Sequence, residues 1–313
     1  MILVTGGLGF IGTHTARALL DLGESCVLTR HTNAAVSSLL APELGSRAFV
    51  EPLDVADRAA WTRLGEKHPI TGIVHLAAHA IIDQDPLAHL DGNLLGISNL
   101  LHSAAEWQVS RVTVASSIGV YHPDSPSPLR EDEPASLVGT HLIETYKKSA
   151  ELLGTFVGGQ LGIQVVSARI AAIWGPLGRV RSGFFAVPQL IHAAAHGTAL
   201  DSPPTAGRTE DGVDMCYVRD CGRGIAALQT AATLNHPTYN VGSGRLTTNG
   251  DILRALRNLV PTADLHLPEG RTWPGRQYLD ISRIQADTGY EPRYDTEQAV
   301  ADYLNWLGAG NPK

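Results

Sequence analysis

The stretch HLIETYKKSAE, His141–Glu151, holds the residues of this sequence best suited to moving a proton. A tyrosine becomes a useful base near neutral pH only when a cation beside it lowers its pKa from about 10. On a helix, two side chains share a face when they lie three or four residues apart. Tyr146 is followed four residues later by Ala150, and Lys147 is preceded four residues earlier by Ile143. The segment therefore holds the parts of an acid–base pair without the spacing that such a pair needs.

A glycine-rich turn near the start of the chain predicts a second chemistry, the binding of a dinucleotide. TGGLGFIG begins at the end of the short apolar run Ile2–Gly6. It leads into a stretch with apolar residues at helical spacing. Glycines in such a turn let the backbone approach a pyrophosphate, and the following helix offers free N–H groups and its positive dipole end. A purely structural turn is the alternative. The residues expected to contact the cofactor here are Gly6, Gly9, Phe10, Ile11 and Gly12.

The end of the second predicted strand bears on which dinucleotide binds. NAD is commonly recognised there by an acidic residue that accepts a hydrogen bond from the ribose 2′-hydroxyl, whereas an arginine suits the 2′-phosphate of NADP. The sequence is VLTRHT, with Arg30 and no acid. It favours NADP slightly over NAD. The alternative is that Arg30 is an ordinary exposed charge.

Short apolar runs alternate with helical patterns along the first half of the chain. This alternation predicts a doubly wound parallel sheet with helices on both faces, the Rossmann-like α/β class. The predicted strands are Ile2–Gly6, Ser25–Arg30, Arg47–Val55, Thr71–Ala78, Arg111–Ser117 and Ile163–Ile170. The predicted helices are an N-terminal one ending at Gly23, then Asp57–Lys67, Leu90–Trp107, His141–Leu161, Phe184–His196, Arg219–Ala232, Thr248–Leu259 and Asp295–Leu307.

The character of the sequence changes after WGPLG, where Gly, Pro and short elements become frequent. We therefore expect a dinucleotide-binding Rossmann domain over residues 1–175, to which later segments return. Residues 176–313 are expected to form mainly a smaller substrate-binding lobe. A chain of 313 residues is long enough for both.

Composition excludes several classes of protein. A formal net charge of −7 argues against nucleic acid as a partner, and no apolar run approaches the about 20 residues of a membrane span. Three cysteines without a CxxC pattern fit a reducing compartment, so we expect the cytoplasm. We see no cluster of metal ligands and no Gly-x-Ser-x-Gly pattern of a serine hydrolase.

Taken together, several segments resemble the extended short-chain dehydrogenase/reductase family, the branch of NAD-dependent epimerases and dehydratases. The resemblance covers nearly the whole chain, and it rests on the order and spacing of the segments. Besides TGGLGFIG they are LDV (Leu53–Val55), VHLAA (Val74–Ala78), ASSIGVYH (Ala115–His122), WGP (Trp174–Pro176), YNVGSG (Tyr239–Gly244) and LDISRIQADTGYEP (Leu279–Pro292).

The resemblance implies a role for several further residues. Ser117 would hydrogen-bond the reacting oxygen, and Lys147 would bind the cofactor ribose and lower the pKa of a catalytic tyrosine. Family analogy also implies a homodimer through the helices around Asn93–Trp107 and His141–Leu161. The further cofactor contacts that it implies are Asp54, Val55, Leu76, Ala77, Ala78 and Asn93.

Two registers of the tyrosine–lysine motif are open. In one, Tyr146 is the catalytic tyrosine, displaced from its lysine. In the other, Lys147 holds the lysine position and Ile143 replaces the tyrosine. Family members commonly place a glutamate four residues after the lysine and an arginine about two dozen after it, and Glu151 and Arg169 fit the second register. The proton carrier is then unassigned, and the candidates are Tyr146, Tyr121, His79, His122 and His141.

Two departures from the family pattern concern the substrate. Ala172 stands where nucleotide-sugar enzymes often carry Asn, and Val213 stands where they carry an arginine that would pair with a diphosphate. They weaken the expectation of a nucleotide-diphosphate sugar. The arginines that could compensate are Arg179, Arg181, Arg208, Arg271 and Arg276.

The function expected from the sequence is an NAD(P)-dependent epimerase, dehydratase or reductase. Its substrate would be a small molecule, either sugar-like or another polar carbonyl or alcohol compound, with Ser117, Lys147 and Tyr146 as the catalytic candidates. One alternative is a non-redox isomerase or lyase on the same fold. The other is a non-catalytic NADP-binding sensor or scaffold.

Overall fold

A computed structural model describes residues 1–31, 35–78, 85–139, 141–200, 203–273 and 277–311. Within these ranges the strands are β1 (Ile2–Thr5), β2 (Cys26–Arg30), β3 (Ala48–Pro52), β4 (Gly72–His75), β5 (Arg111–Ser117), β6 (Gln164–Ile170), β7 (Ala172–Trp174), β8 (Gly212–Val213), β9 (Met215–Tyr217), β10 (Thr238–Val241) and β11 (Thr247–Thr248). The helices are α1 (Phe10–Asp21), α2 (Arg58–Lys67), α3 (Pro86–Glu106), α4 (Leu142–Gln160), α5 (Val187–His196), α6 (Val218–Thr230), α7 (Asn249–Leu259), α8 (Ser282–Thr288) and α9 (Thr296–Gly308).

Seven strands form one parallel sheet in the order β10-β6-β5-β4-β1-β2-β3. Strand β1 is buried along its whole length, as expected for a parallel strand that is covered on both faces. The order reverses between β1 and β4, and open sheets of this kind bind ligands at the carboxyl ends of the strands beside such a point. The predicted Rossmann-like class is confirmed.

Alternate residues of each strand pack into two different cores. Ile2 and Val4 face a cluster built with α1 and α6, whereas Leu3 faces a cluster built with α2, α3 and the inner face of α4. Residues one apart on a strand point to opposite faces, so the continuous apolar sequence of β1 supplies both cores.

A third apolar cluster forms the smaller lobe. It joins α5, α7 and α9 through side chains such as Leu190, Leu256 and Trp306. Three elements from the second half of the chain, β10, α6 and α8, instead pack with the sheet. The division of the chain near residue 175 stays a prediction, with these three elements on the sheet side of it.

Most predicted elements are present, with shifted ends. The long helix α3 starts at Pro86, earlier than Leu90, because the Asp85 side chain accepts a hydrogen bond from the Leu87 N–H and caps it. The third strand ends at Pro52 and does not reach Val55. The sequence did not predict the two-residue and three-residue strands of the smaller lobe, because segments this short show no periodicity. Among the described helices, none is both long enough and apolar enough to cross a membrane.

Close packing of α1 against α6 gives a test of the fold. A Cβ atom added at Gly222 would lie 2.6 Å from the carbonyl carbon and oxygen of His14, which is backbone that cannot turn aside. We expect Gly222→Ala to lower the free energy of unfolding by about 2 kcal/mol or more. Gly159→Ala is the matched control on α4, where an added Cβ meets no atom within 4 Å. It should raise stability by about 0.5–1 kcal/mol. Urea denaturation of both variants measures these changes, and equal effects would contradict the packing.

Candidate active site

A cavity of about 790 Å³ opens at the carboxyl ends of the central strands, between the sheet and the smaller lobe. The turn after β1, the end of β5 and one face of α4 form the sheet side. Segment 177–185, Val213 and Trp273 form the opposite side. Its walls are mainly apolar with few polar groups, which is typical of a small-molecule site.

The glycine turn is shaped for close backbone approach. Gly6 has a φ of +66°, and a Cβ added at Gly12 would lie 2.1 Å from the Gly6 carbonyl oxygen. The Gly6 N–H donates to the Thr29 hydroxyl at 3.1 Å, which ties the turn to β2. Helix α1 begins after Gly9 with no side-chain cap and no acidic residue in its first turn. Its free N–H groups thus face the cavity, and these residues fit the pyrophosphate of a dinucleotide.

One face of α4 presents three residues to the cavity: Ile143, Glu144 and Lys147. Their spacing of three and four residues places them side by side. The Lys147 ammonium donates to the Ala115 carbonyl at 2.7 Å. Burial lowers the pKa of Lys147 to about 8, and the Glu151 carboxylate partly opposes this shift.

A buried ion pair fixes the rotation of α4. The Glu151 carboxylate accepts from Arg169 Nη2 at 2.8 Å and from Nε at 3.0 Å, and also from the Ser116 hydroxyl. The two charged side chains are only 6% and 11% exposed. The spacing from Lys147 to Glu151 and Arg169 therefore has a structural cause, and it favours the register with Lys147 at the lysine position and Ile143 at the tyrosine position.

Tyr146 is absent from the described lining of the cavity and packs against the core under α2 and α3. In this rotation of α4, Lys147 lines the cavity and Tyr146 does not. Burial raises the pKa of Tyr146 to about 12, which disfavours the phenolate. The Lys147 ammonium nonetheless lies 5.4 Å from the centre of the Tyr146 ring. Tyr146 as the base stays a prediction, which this burial disfavours.

The Tyr121 side chain is held by contacts with two buried residues. Its hydroxyl donates to the Asn240 side-chain oxygen at 2.7 Å, and the Arg169 guanidinium lies 4.7 Å from its ring centre. Burial raises the pKa of Tyr121 to about 12. His122 is exposed and accepts from the backbone N–H of Asp124, away from the described cavity lining.

His141 does line the cavity, at the start of α4. Its Nδ1 accepts from the Ile143 N–H at 3.2 Å and caps the helix. Its ring packs edge-on against Phe184, with the ring centres 6.2 Å apart. His79, the remaining candidate, lies outside the described residues.

Ser117 lies at the cavity where β5 ends, and its hydroxyl accepts from the Gly119 N–H at 3.1 Å. Its own hydrogen can still be donated to a substrate oxygen. Glu144 lies against the same Gly119, and sequence reasoning missed it. The available signal was its position beside Ile143 and three residues before Lys147.

The residues predicted to bind the cofactor divide into two groups. Gly6, Gly9, Phe10, Ile11, Gly12, Leu76 and Lys147 line the cavity. A second group lies outside that lining: Arg30, Asp54, Val55, Ala77, Ala78 and Asn93. Asn93 is buried and donates to the His89 carbonyl of its own helix at 2.8 Å. The Ala77 N–H donates to the Thr5 hydroxyl at 3.2 Å, next to the glycine turn.

Arg30 and Asp54 occupy neighbouring ends of β2 and β3. Arg30 is partly exposed at the last position of β2, and the Asp54 carboxylate lies 3.8 Å from the His31 ring nitrogen. The Val55 carbonyl accepts from the Trp61 indole and from the Asn99 amide, each at 3.0 Å. This region would face the adenosine half of a dinucleotide that extends from the glycine turn.

Two of the arginines proposed to compensate for Val213, Arg179 and Arg181, line the cavity, and Val213 itself contributes apolar surface to its wall. Arg208 instead donates to the Glu269 carbonyl at 2.7 Å. Arg271 is exposed, and Arg276 lies outside the described residues.

The NAD dependent epimerase/dehydratase family model matches residues 2–242, so the chain belongs to this family. A probable UDP-glucuronate 4-epimerase of Rhizobium meliloti is 26% identical over 97% of this chain and 96% of its own length. The structure of UDP-glucose 4-epimerase from Thermotoga maritima, solved with UDP-glucose, aligns with a TM-score of 0.82 and 22% identity over 99% of both chains. The Bifidobacterium longum UDP-glucose 4-epimerase with NAD⁺ and UDP gives a TM-score of 0.80 and 22% identity over 98% of both chains.

These comparisons confirm the resemblance to the extended short-chain dehydrogenase/reductase family and the prediction of an epimerase/dehydratase-type enzyme. The two structural alignments, at this level of identity, show the fold alone. The family also fits the observed turn, whose glycines leave room for a pyrophosphate against α1.

The Lys147 ammonium should make cofactor binding depend on pH. With a pKa of about 8, the group is charged below that pH and loses its charge as pH rises through it. The affinity for NAD should therefore fall by roughly five- to tenfold between about pH 7 and about pH 9.5. Calorimetric titration at several pH values measures this change.

Two lysine variants control this measurement. Lys147→Met should weaken binding and flatten its pH dependence. Lys148→Met should leave both unchanged, because the Lys148 ammonium donates to the Val138 carbonyl, apart from the cavity. An unaltered pH dependence in Lys147→Met would show that Lys147 does not contact the cofactor.

Proposed function

We propose that the protein is an NAD-dependent epimerase that acts on a nucleotide sugar. The observation that carries the proposal is that the glycine turn, Ser117 and Lys147 line one continuous cavity. The family membership and the curated relatives, which include UDP-glucuronate and UDP-glucose 4-epimerases, support it.

In this proposal the glycine turn and α1 bind the pyrophosphate of the cofactor, and Lys147 binds the ribose next to the nicotinamide. A cofactor held there would supply a nicotinamide ring that can accept a hydride and return it. Ser117 donates a hydrogen bond to the reacting oxygen of the sugar and holds it at the end of β5. The apolar walls exclude water from the reacting carbon.

NAD is the proposed cofactor. The Bifidobacterium longum enzyme was solved with NAD⁺, and the Thermus thermophilus UDP-glucose 4-epimerase with NAD. The preference for NADP drawn from Arg30 finds no support in these relatives. Arg30 remains the residue to test, because the end of β2 carries no acid that would repel a 2′-phosphate.

A nucleotide diphosphate requires cationic partners in the cavity. Arg179 and Arg181 line the side that belongs to the smaller lobe, where bidentate guanidinium groups could bind phosphate oxygens. They are the proposed substitutes for the arginine that Val213 replaces. UDP-glucose and UDP-glucuronate are the first substrates to examine, because the relatives are named for them.

The proposal predicts interconversion of a UDP-sugar and its 4-epimer by the protein loaded with NAD, but not with NADP. Ser117→Ala should lower the rate by about 100-fold or more, because the reacting oxygen loses its donor. Ser110→Ala is the matched control, since Ser110 precedes the opposite end of β5 and is exposed. Chromatography of the sugar products measures both variants, and equal rates would contradict the role of Ser117.

Ile143 in the cavity favours a second candidate function, a nucleotide-binding protein without redox turnover. Isoleucine can neither accept nor donate a proton, so the usual route for the proton is missing. Tight binding of NAD without turnover of any UDP-sugar would favour this candidate over the epimerase.

We also propose that the protein is a homodimer. Helices α3 and α4 pack side by side and expose large apolar side chains, among them Leu90, Leu152 and Phe156, of which Phe156 is 70% exposed. A second copy of the same helix pair would cover these side chains. The cytoplasm remains the proposed compartment, since all three cysteines are free and buried.

A charge placed on this surface should separate the dimer. Phe156→Glu should shift the protein to monomers, because a carboxylate would be buried without a partner in the interface. Leu22→Glu is the control, an equally drastic change at the exposed end of α1. Sedimentation velocity distinguishes the two states. A dimer that persists in Phe156→Glu would contradict this interface.

A further inference from the structure

Glu144 is the one carboxylic acid among the described residues that line the cavity. A Cβ added at Gly119 would lie 2.9 Å from Glu144 Cγ and 3.4 Å from its Oε1. The carboxylate therefore lies against the backbone of Gly119. The N–H of this same glycine donates to the Ser117 hydroxyl at 3.1 Å. The acid and the serine thus flank one residue at the end of β5.

Glu144 lines the same cavity as Lys147. The two residues are three apart, so they are neighbours on the helix face that lines the cavity. Ile143 lies on the same face, one residue earlier. Ile143, which cannot carry a proton, is therefore directly followed by Glu144, which can.

The other candidate proton carriers make different contacts. Tyr146 is partly buried against the core and lies outside the described cavity lining, and the Tyr121 hydroxyl donates to Asn240. His141 has its Nδ1 occupied as the helix cap, and its ring packs against Phe184 of the smaller lobe. Glu144 is the candidate that shares a backbone contact with the Ser117 segment.

We propose that Glu144 is the catalytic acid–base residue of this site and takes the part that a tyrosine would play at position 143. This inference rests on the proposed epimerase function. On oxidation, the sugar alcohol loses a hydride from carbon to the bound nicotinamide and a proton from oxygen to the Glu144 carboxylate. A carbonyl forms on the sugar. On return of the hydride, the Glu144 carboxylic acid gives the proton back to the same oxygen.

Lys147 lies three residues further along α4 and lines the same cavity, where its ammonium donates to the Ala115 carbonyl. The Ser117 hydroxyl orients the sugar oxygen toward the end of β5, where Glu144 lies. His141, Arg179 and Arg181 are the other titratable or cationic groups in the described lining.

Glu144→Gln keeps the shape of the side chain and removes its ability to carry a proton. We expect the epimerisation rate to fall by about 100-fold or more. The dissociation constants for NAD and UDP, measured by calorimetry, should stay within about twofold of the wild type. Glu66→Gln on the exposed face of α2 is the matched control and should change neither quantity.

Chemical rescue distinguishes proton transfer from a structural role. Glu144→Ala should be as slow as Glu144→Gln, and added formate or acetate should restore part of its activity by entering the space of the missing carboxylate. Neither anion should accelerate Glu144→Gln, in which the amide still fills that space. Thermal denaturation of each variant establishes that it is folded.

Three results would overturn the inference. Full activity of Glu144→Gln, alongside an active wild type, would exclude Glu144 as the proton carrier and leave the proposed epimerase function in place. A loss of activity that follows His141→Asn and not Glu144→Gln assigns the proton to the histidine. A wild type that binds NAD and UDP but turns over no UDP-sugar contradicts both the proposed function and the role of Glu144.

Discussion

The buried ion pair between Arg169 and Glu151 determines how the cavity is built. It joins the middle of α4 to β6, and the Ser116 hydroxyl adds a bond from β5. Breaking a buried pair on one side typically costs about 3–5 kcal/mol, because the remaining charge has no partner. The pair therefore holds α4 in one rotation. That rotation turns Ile143, Glu144 and Lys147 into the cavity and packs Tyr146 against the core.

The glycine turn imposes a second constraint on the opposite side of the cavity. Any side chain at position 12 would collide with the carbonyl of Gly6, so the turn and the first helix must remain in close contact. This contact leaves the free N–H groups of α1 directed at the cavity. In the proposed function, the turn and α4 together set the distance between the cofactor phosphates and the reacting oxygen.

Much of this arrangement could be predicted from the sequence, because it depends on local patterns. The strand–glycine–helix pattern predicted the phosphate turn, and the spacing of Lys147, Glu151 and Arg169 indicated the register of α4 before any contact was known. The alternation of short apolar strands with helical patterns predicted the fold class. Each of these patterns lies within a few dozen residues of sequence.

What the sequence did not reveal depends on contacts between distant segments. Asp211 accepts hydrogen bonds from the backbone of Thr272 and Trp273, at 2.7 and 2.8 Å, and so holds Trp273 at the cavity wall from 62 residues away. Glu144 was overlooked for a similar reason, since its relation to Gly119 appears only when α4 packs against the end of β5. The packing of Tyr146 against the core, outside the described cavity lining, is also a tertiary effect.

The proposed function requires this cavity to carry out hydride transfer with Ile143 at the tyrosine position. Rapid mixing of the NAD-loaded protein with a UDP-sugar, followed by the near-ultraviolet absorbance of reduced nicotinamide, tests it most directly. We predict a transient absorbance that forms more slowly when the reacting carbon of the sugar carries deuterium. No absorbance change, in protein that calorimetry shows to bind both NAD and the UDP-sugar, would contradict the claim.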